Sequence, residues 1–223
     1  MELARHLQAL TSGRRTTDLR PDEHGAESSG DPDALWSVDE ATTELLLDNN
    51  ALTSLPFGRL QLGSLRTLSL SSNRLTTLEP DIASFAASLR VLKLECNRLC
   101  RLPEELCSLS RLEALWLGYN ELAELPVRLG ALRALRELWL DTNQLTALPD
   151  SLGDLRCLEI LSADTNRLTA LPASTVRLDA LRRVRLRHNR LSEVPPPLCQ
   201  LRYLTELDLR GNAHLTSLPP RQS

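Results

Sequence analysis

Trp116 and Trp139 stand 23 residues apart, each in a Leu-Trp-Leu triplet. Only 3% of the chain is aromatic, and Tyr119 lies close to the first of the pair. Large aromatic rings on an open surface suit gripping another molecule, since they anchor interfaces where truncation costs about 2 kcal/mol or more. Carboxylates surround this pair in sequence register: Glu95, Glu137, Asp141 and Asp164. One repeat further on, basic residues crowd together as Arg182, Arg183, Arg185, Arg187, His188 and Arg190. The expected chemistry is recognition. Trp116, Trp139 and Tyr119 are candidate apolar anchors, Glu137, Asp141 and Asp164 candidate contacts for basic groups, and Arg183, Arg185 and Arg187 candidate contacts for acidic or phosphorylated ones. Like charges this close repel unless neighbouring strands offset them, and Asp164, Glu206 and Asp208 are placed to do so.

Reaction chemistry finds little footing. The four histidines are His6, His24, His188 and His214, and none has a recognisable serine or cysteine nucleophile motif near it. Carboxylates on an open sheet lack the burial that tunes an acid–base pair. Among 26 basic residues Lys93 alone is a lysine, and it falls in Leu92-Lys93-Leu94, which excludes a Gly-Lys-Ser/Thr phosphate loop. Cys96, Cys100, Cys107, Cys157 and Cys199 have no metal-ligand spacing; they read as buried or half-buried free thiols. The expectation is a non-enzymatic chain without cofactor or metal.

What positions these residues is a repeat. Asparagines at 50, 73, 97, 120, 143, 166, 189 and 212 are spaced by 23 residues, once by 24. Each sits in a frame Leu-x-x-Leu-x-Leu-x-x-Asn-x-Leu-x-x-Leu-Pro, as in Leu112, Leu115, Leu117, Asn120, Leu122, Leu125 and Pro126. A period in this range with that leucine spacing marks a leucine-rich-repeat solenoid. The fold class is α/β: about eight repeats stacked into a curved horseshoe, with a parallel sheet on the concave side and irregular or 3-10 helical turns on the convex side. Within each frame the alternation Leu-x-Leu reads as a short strand whose leucines point inward. Each buried leucine contributes roughly 1.5–3 kcal/mol. The asparagine ends the strand and can bond backbone groups of the adjoining turns that would cost about 1–3 kcal/mol if left unpaired.

Strand alternation then places three columns on the open face of the sheet. The central column is Leu46, Ser69, Lys93, Trp116, Trp139, Ser162, Arg185 and Asp208. Trp116 and Trp139 should therefore stand about 4.8 Å apart on neighbouring strands. Two frames depart from the pattern: the second has its proline one place late, at Pro80, and the last has one residue inserted after Asn212. Ala163 replaces a core leucine, which predicts a small packing gap.

Residues 1–34 differ from the rest. Met1, Leu3, Leu7 and Leu10 fall on one face of a short helix, and 11–32 is polar and reads as largely disordered. Residues 35–223 form the repeat domain, with Trp36 and Val38 expected to cover its first edge. No polar closing element follows the last frame, so that edge is expected to be exposed, covered by a partner, or continued in a longer chain. A net charge of −3 gives no basic excess for nucleic acid. Single-stranded RNA stacked on the tryptophans remains a weaker alternative. No stretch reaches the roughly 18 apolar residues of a membrane span, and 1–34 lacks the apolar run of a signal peptide. With five scattered cysteines this points to a reducing compartment, cytoplasm or nucleus.

The 23-residue unit with Leu-Pro-x-x-Leu-x-x-Leu on its outer side resembles the intracellular Ras-group leucine-rich-repeat proteins and the repeat region of Scribble-type scaffolds. The resemblance covers about residues 42–219. It implies protein recognition as the activity, and a small GTPase or a phosphatase or kinase complex as the partner type. It carries no ligand residues with it. The runner-up reading is a recognition or regulatory segment of a larger signalling enzyme. A monomer is expected unless the uncapped edge pairs.

Overall fold

The computed structural model describes residues 16–18, 41–55, 57 and 62–216. Nine three-residue strands lie in one parallel sheet in strict sequence order: β1 Thr16–Asp18, β2 Glu44–Leu46, β3 Thr67–Ser69, β4 Val91–Lys93, β5 Ala114–Trp116, β6 Glu137–Trp139, β7 Ile160–Ser162, β8 Arg183–Arg185 and β9 Glu206–Asp208. The eight repeats supply β2–β9. The strand β1 pairs with β2 and falls within the stretch expected to be disordered; the other residues of 1–34, with the short helix assigned there, lie outside the described residues, as do Trp36 and Val38.

The inward leucines form one continuous core. From Leu45 and Leu47 through Leu115, Leu117, Leu138 and Leu140 to Leu186, both core positions of β2–β8 are fully shielded, with Val184 and Ala163 in the same columns. On the far side of that core, short 3-10 turns run over Pro80–Phe85, Glu104–Ser108, Leu129–Ala131, Asp150–Asp154, Ala173–Arg177 and Pro196–Gln200. The extra residue of the second frame is absorbed here: its turn starts at Pro80 itself and runs six residues, burying Ile82 and Phe85. Phe85 meets Phe57 edge to face at 5.9 Å.

Successive turns approach so closely that two glycines are obligatory. A Cβ on Gly153 would lie 2.2 Å from the Ser174 carbonyl oxygen, and one on Gly130 2.1 Å from that of Ser151. Gly153→Ala is expected to push two repeats apart and cost about 1–3 kcal/mol, read as a lowered urea midpoint.

The asparagines build a ladder. Asn143 Nδ2 donates to the carbonyls of Leu117 (2.9 Å) and Leu140 (3.0 Å), while its Oδ1 accepts from Leu122 N–H (3.0 Å). Asn120 and Asn166 repeat the pattern one unit either side. Each carbonyl of the column before the last serves two asparagines: Leu117 O accepts from both Asn120 and Asn143. The inserted residue of the last frame leaves this intact, since Asn212 still donates to Leu186 O and Leu209 O.

The residue before each asparagine is left-handed, with φ from 51° to 57° at Asn49, Ser72, Cys96, Tyr119, Thr142, Thr165 and His188, and 75° at Gly211. Such a residue ends the strand alternation and turns its side chain away from the sheet face. Cys96 is exposed for this reason, and Cys100, Cys157 and Cys199 are also exposed; only Cys107 is buried. The expectation of buried or half-buried thiols therefore holds for one cysteine of five. The other four occupy positions between the leucines of the frame. Burial, with Glu104 nearby, pushes the Cys107 thiol up to about 11, so it stays protonated.

Candidate functional site

The open face of the sheet is set by register, and register here is uniform. Lys93 pairs with Trp116, Trp116 with Trp139, Trp139 with Ser162, and Ser162 with Arg185. Both indoles are half-buried on this face, while Leu115, Leu117, Leu138 and Leu140 beside them are fully buried on the other. The rings meet edge to face, with centroids 6.1 Å apart and planes at 61°. Edge-to-face contact leaves each ring a free surface and is worth about 0.5–1.5 kcal/mol beyond its area.

Cations from both sides complete a line across five strands. Lys93 Nζ sits 4.3 Å from the Trp116 ring centroid, and Arg185 reaches over the small Ser162 to bring its guanidinium carbon 5.9 Å from Trp139. The two indole N–H groups differ. Trp139 Nε1 donates to Glu137 Oε2 at 3.1 Å, whereas Trp116 Nε1 is shielded from water with no acceptor. Ala114 and Gly118 stand at the flanking face positions of the Trp116 strand, where Glu137 and Asp141 stand on the next one.

The structure brings the two tryptophans, Glu137, Asp141, Asp164, Arg185 and Arg187 onto one face. Tyr119 is separate. Its φ of +56° places it in the turn past the strand, its side chain is 59% exposed, and it makes no ring contact with either tryptophan. Arg183 is exposed at the start of β8.

Several of these charged groups already have structural work, which sequence reasoning missed. Asp141 Oδ1 accepts from Ser162 Oγ (2.6 Å) and Asp164 N–H (2.8 Å); Asp164 Oδ1 accepts from Arg187 N–H (2.6 Å). Asp48 does the same for Ser69 Oγ and Ser71 N–H. In each case one carboxylate oxygen caps a backbone N–H just beyond the next strand. The signal was present as an Asp recurring two places after the central column, but it reads equally as a surface acid.

The arginines are compensated by β9. Arg185 Nε bonds Glu206 Oε1 at 2.9 Å, Arg187 Nε lies 3.8 Å from Asp208 Oδ2, and Arg210 also pairs with Asp208. The Arg210 guanidinium beside Asp208 holds its carboxyl down to about 2, with Arg187 adding to the effect. By contrast Glu95 and Asp164 bind protons more tightly than ordinary carboxylates. Burial is the main cause for both, and the charge of Asp141 adds to it; Lys93 partly opposes it at Glu95, and the Arg187 N–H does so at Asp164.

The sign follows from linkage. A carboxyl whose folded pKa is raised opposes folding when ionised and ceases to as pH falls through that pKa. Glu95→Gln is thus expected to raise the melting temperature at pH 7, with the gain vanishing in acid as wild-type Glu95 takes its proton. Parallel melts across pH would show it.

Two pieces of chemistry are absent among the described residues. No group of three or more His, Cys, Asp or Glu side chains is placed to hold a metal ion, and no helix is long and apolar enough to cross a membrane.

The fold is a leucine-rich-repeat solenoid, and comparison with known proteins agrees. Family models described as leucine rich repeat match residues 41–99, 63–122 and 87–145, and a second leucine-rich-repeat model matches 180–201. The chain belongs to the leucine-rich-repeat family. Among solved structures it is similar to a leucine-rich-repeat protein of Leptospira interrogans (31% identity over 81% of this chain and 51% of that one, TM-score 0.59). It is also similar to the leucine-rich-repeat domain of the type III effector XopL (27%, 80% and 63%, TM-score 0.71). A third likeness is to the plant peptide hormone receptor RGFR1, solved in complex with RGF2 (25%, 78% and 28%, TM-score 0.67). The chain spans less than two thirds of each of these proteins. No curated protein matches it.

Proposed function

We propose that this chain is a non-enzymatic protein-interaction module that grips a partner protein on the open, concave face of its sheet. The observation that carries the reading is the register of Trp116 on Trp139: two half-exposed indoles, edge to face, at the centre of a rigid parallel sheet. Rigid aromatic anchors on a preformed surface lose little entropy on binding. Trp116 and Trp139 are the apolar anchors, with Tyr119 contributing from the rim of the turns. Glu137, Asp141 and Asp164 meet basic groups of the partner, and Arg183, which forms no ion pair with a described residue, meets an acidic one; Arg185 and Arg187 act through their pairs with Glu206 and Asp208. The peptide hormone receptor among the similar structures was solved in complex with RGF2, which suits a leucine-rich-repeat surface that captures a partner. The resemblance to Ras-group and Scribble-type repeats supports a scaffold in cytoplasmic signalling, with a small GTPase or a phosphatase or kinase complex as partner. Cross-linking mass spectrometry of captured partners tests the reading: cross-links should map to the sheet face and disappear in the double tryptophan variant.

A second reading is a recognition segment within a larger enzyme. It is favoured by the last described strand, where Leu207 is 40% exposed while its counterparts in β2–β8 are fully buried. A longer natural chain whose added sequence buries Leu207 and raises the melting temperature would support it.

A further inference from the structure

Charge on the open face is divided unevenly once its internal pairs are set aside. On β2–β7 and the residues just past them, the face carries Glu44, Asp48, Glu95, Glu137, Asp141 and Asp164 against the single cation Lys93. None of these six carboxylates forms an ion pair with a described residue. Lys93 is itself seated over Trp116. On β8 and β9, Arg185, Arg187 and Arg210 pair with Glu206 and Asp208 while Arg183 stays unpaired among the described residues, so that end keeps an excess of positive charge opposite in sign to β2–β7.

Around the tryptophans the carboxylates converge. Gly118 has no side chain between Glu95 and Asp141, and Glu95 leans toward the gap: a Cβ built on Gly118 would lie 3.6 Å from Glu95 Oε1 and 3.5 Å from the Asp141 carbonyl oxygen. Those are ordinary contact distances, so nothing within the chain requires glycine there. A glycine in a strand face without an internal reason often marks close approach by another molecule. Asp141 and Asp164 each commit only Oδ1 to the sheet, leaving Oδ2 without a hydrogen bond to any described residue. Burial and mutual repulsion already raise the proton affinity of Glu95 and Asp164, a cost that an incoming cation would relieve.

We propose that the open face between β4 and β7 docks an extended, arginine- or lysine-bearing segment of a partner protein. Its cationic head lies among Glu95, Asp141 and Asp164, and its aliphatic stem lies on Trp116 and Trp139. This rests on the open-face reading above and narrows it to the acidic part of the face, since Arg185 and Arg187 are taken by Glu206 and Asp208. Charge complementarity of this kind raises association rates and sets partner choice.

The test uses the full chain and labelled synthetic peptides of one Gly-Ser-Leu frame carrying two arginines, two lysines, two glutamines or two glutamates, followed by fluorescence anisotropy. The arginine and lysine peptides should bind at least tenfold more tightly than the glutamine peptide, and the glutamate peptide most weakly. Gly118→Lys supplies a resident cation at a position whose counterparts in later repeats are Arg187 and Arg210, so the sheet accepts it. It should weaken the basic peptides at least tenfold, as should Glu95→Gln combined with Asp141→Asn, which keeps the Oδ1 acceptor. Failure of the basic peptides to bind, equal binding of arginine and glutamine peptides, or indifference to Gly118→Lys overturns the proposal. If the tryptophan double variant still abolishes binding of a neutral or acidic peptide, the open-face reading stands and only the basic occupant is wrong. If no substitution on this face alters binding of any peptide, both fall.

Discussion

Trp116→Ala combined with Trp139→Ala is expected to reduce partner capture by two to three orders of magnitude while the chain still melts cooperatively. Each ring on an interface is worth about 2 kcal/mol or more on truncation, which is a factor of about 30. The two losses should not simply add, because the rings touch each other and removing one exposes the other's edge. Stability should change little by comparison. Neither indole belongs to the leucine core, and the residues that hold the strand ladder, Leu115, Leu117, Leu138 and Leu140, remain buried. The cost to the free chain is the ring–ring contact and two cation–π contacts, from Lys93 and Arg185, each about 0.5–1 kcal/mol at an exposed place. Affinity by anisotropy or calorimetry, set beside urea unfolding of the same protein, separates the two effects. Capture that persists with an unchanged affinity would remove the tryptophans from the site.

Asn143→Ala should do the opposite, unfolding the chain at a much lower denaturant concentration without touching the open face. One buried backbone group is left unpaired and two lose one of their two donors: the Leu122 N–H loses its acceptor, and the carbonyls of Leu117 and Leu140 each lose a donor. The carbonyl of Leu117 keeps Asn120 and that of Leu140 keeps Asn166, which softens the loss on both sides. At about 1–3 kcal/mol for the group left unpaired and about 0.5–1.5 kcal/mol for each further hydrogen bond lost, a total of about 2–5 kcal/mol is expected. That is a large part of the stability of a domain. Asn143→Asp retains Oδ1 but puts a second carboxylate oxygen against two carbonyls, so it should be at least as damaging at pH 7 and recover partly in acid. A solenoid couples each repeat only to its neighbours, so the damage should show as a broadened or split transition when followed by probes at both ends.

Strand order, parallel register and the inward leucines were all legible from spacing, because a 23-residue repeat stacks each position on its own counterpart. The same reasoning put Trp116 over Trp139 and assigned the columns of the face. Tyr119 illustrates where spacing stops being enough. Its position next to the strand suggested a third ring beside the indoles, but a left-handed residue follows each strand and carries it into the turn. The cysteines illustrate the same limit: hydrophobic by type, four of five sit at frame positions that face water.

Periodicity in the chain was sufficient to determine a leucine-rich-repeat sheet and which side chains share its face, since both depend on backbone repeat and alternation alone. Only the tertiary structure decided which charges on that face are spent and which are spare. Arg185 with Glu206, Arg187 with Asp208, and the Asp141 and Asp164 oxygens turned to backbone N–H groups depend on side-chain reach between strands. Rotamers and the space left by small neighbours such as Ser162 and Gly118 set that reach, and a one-dimensional repeat does not encode them.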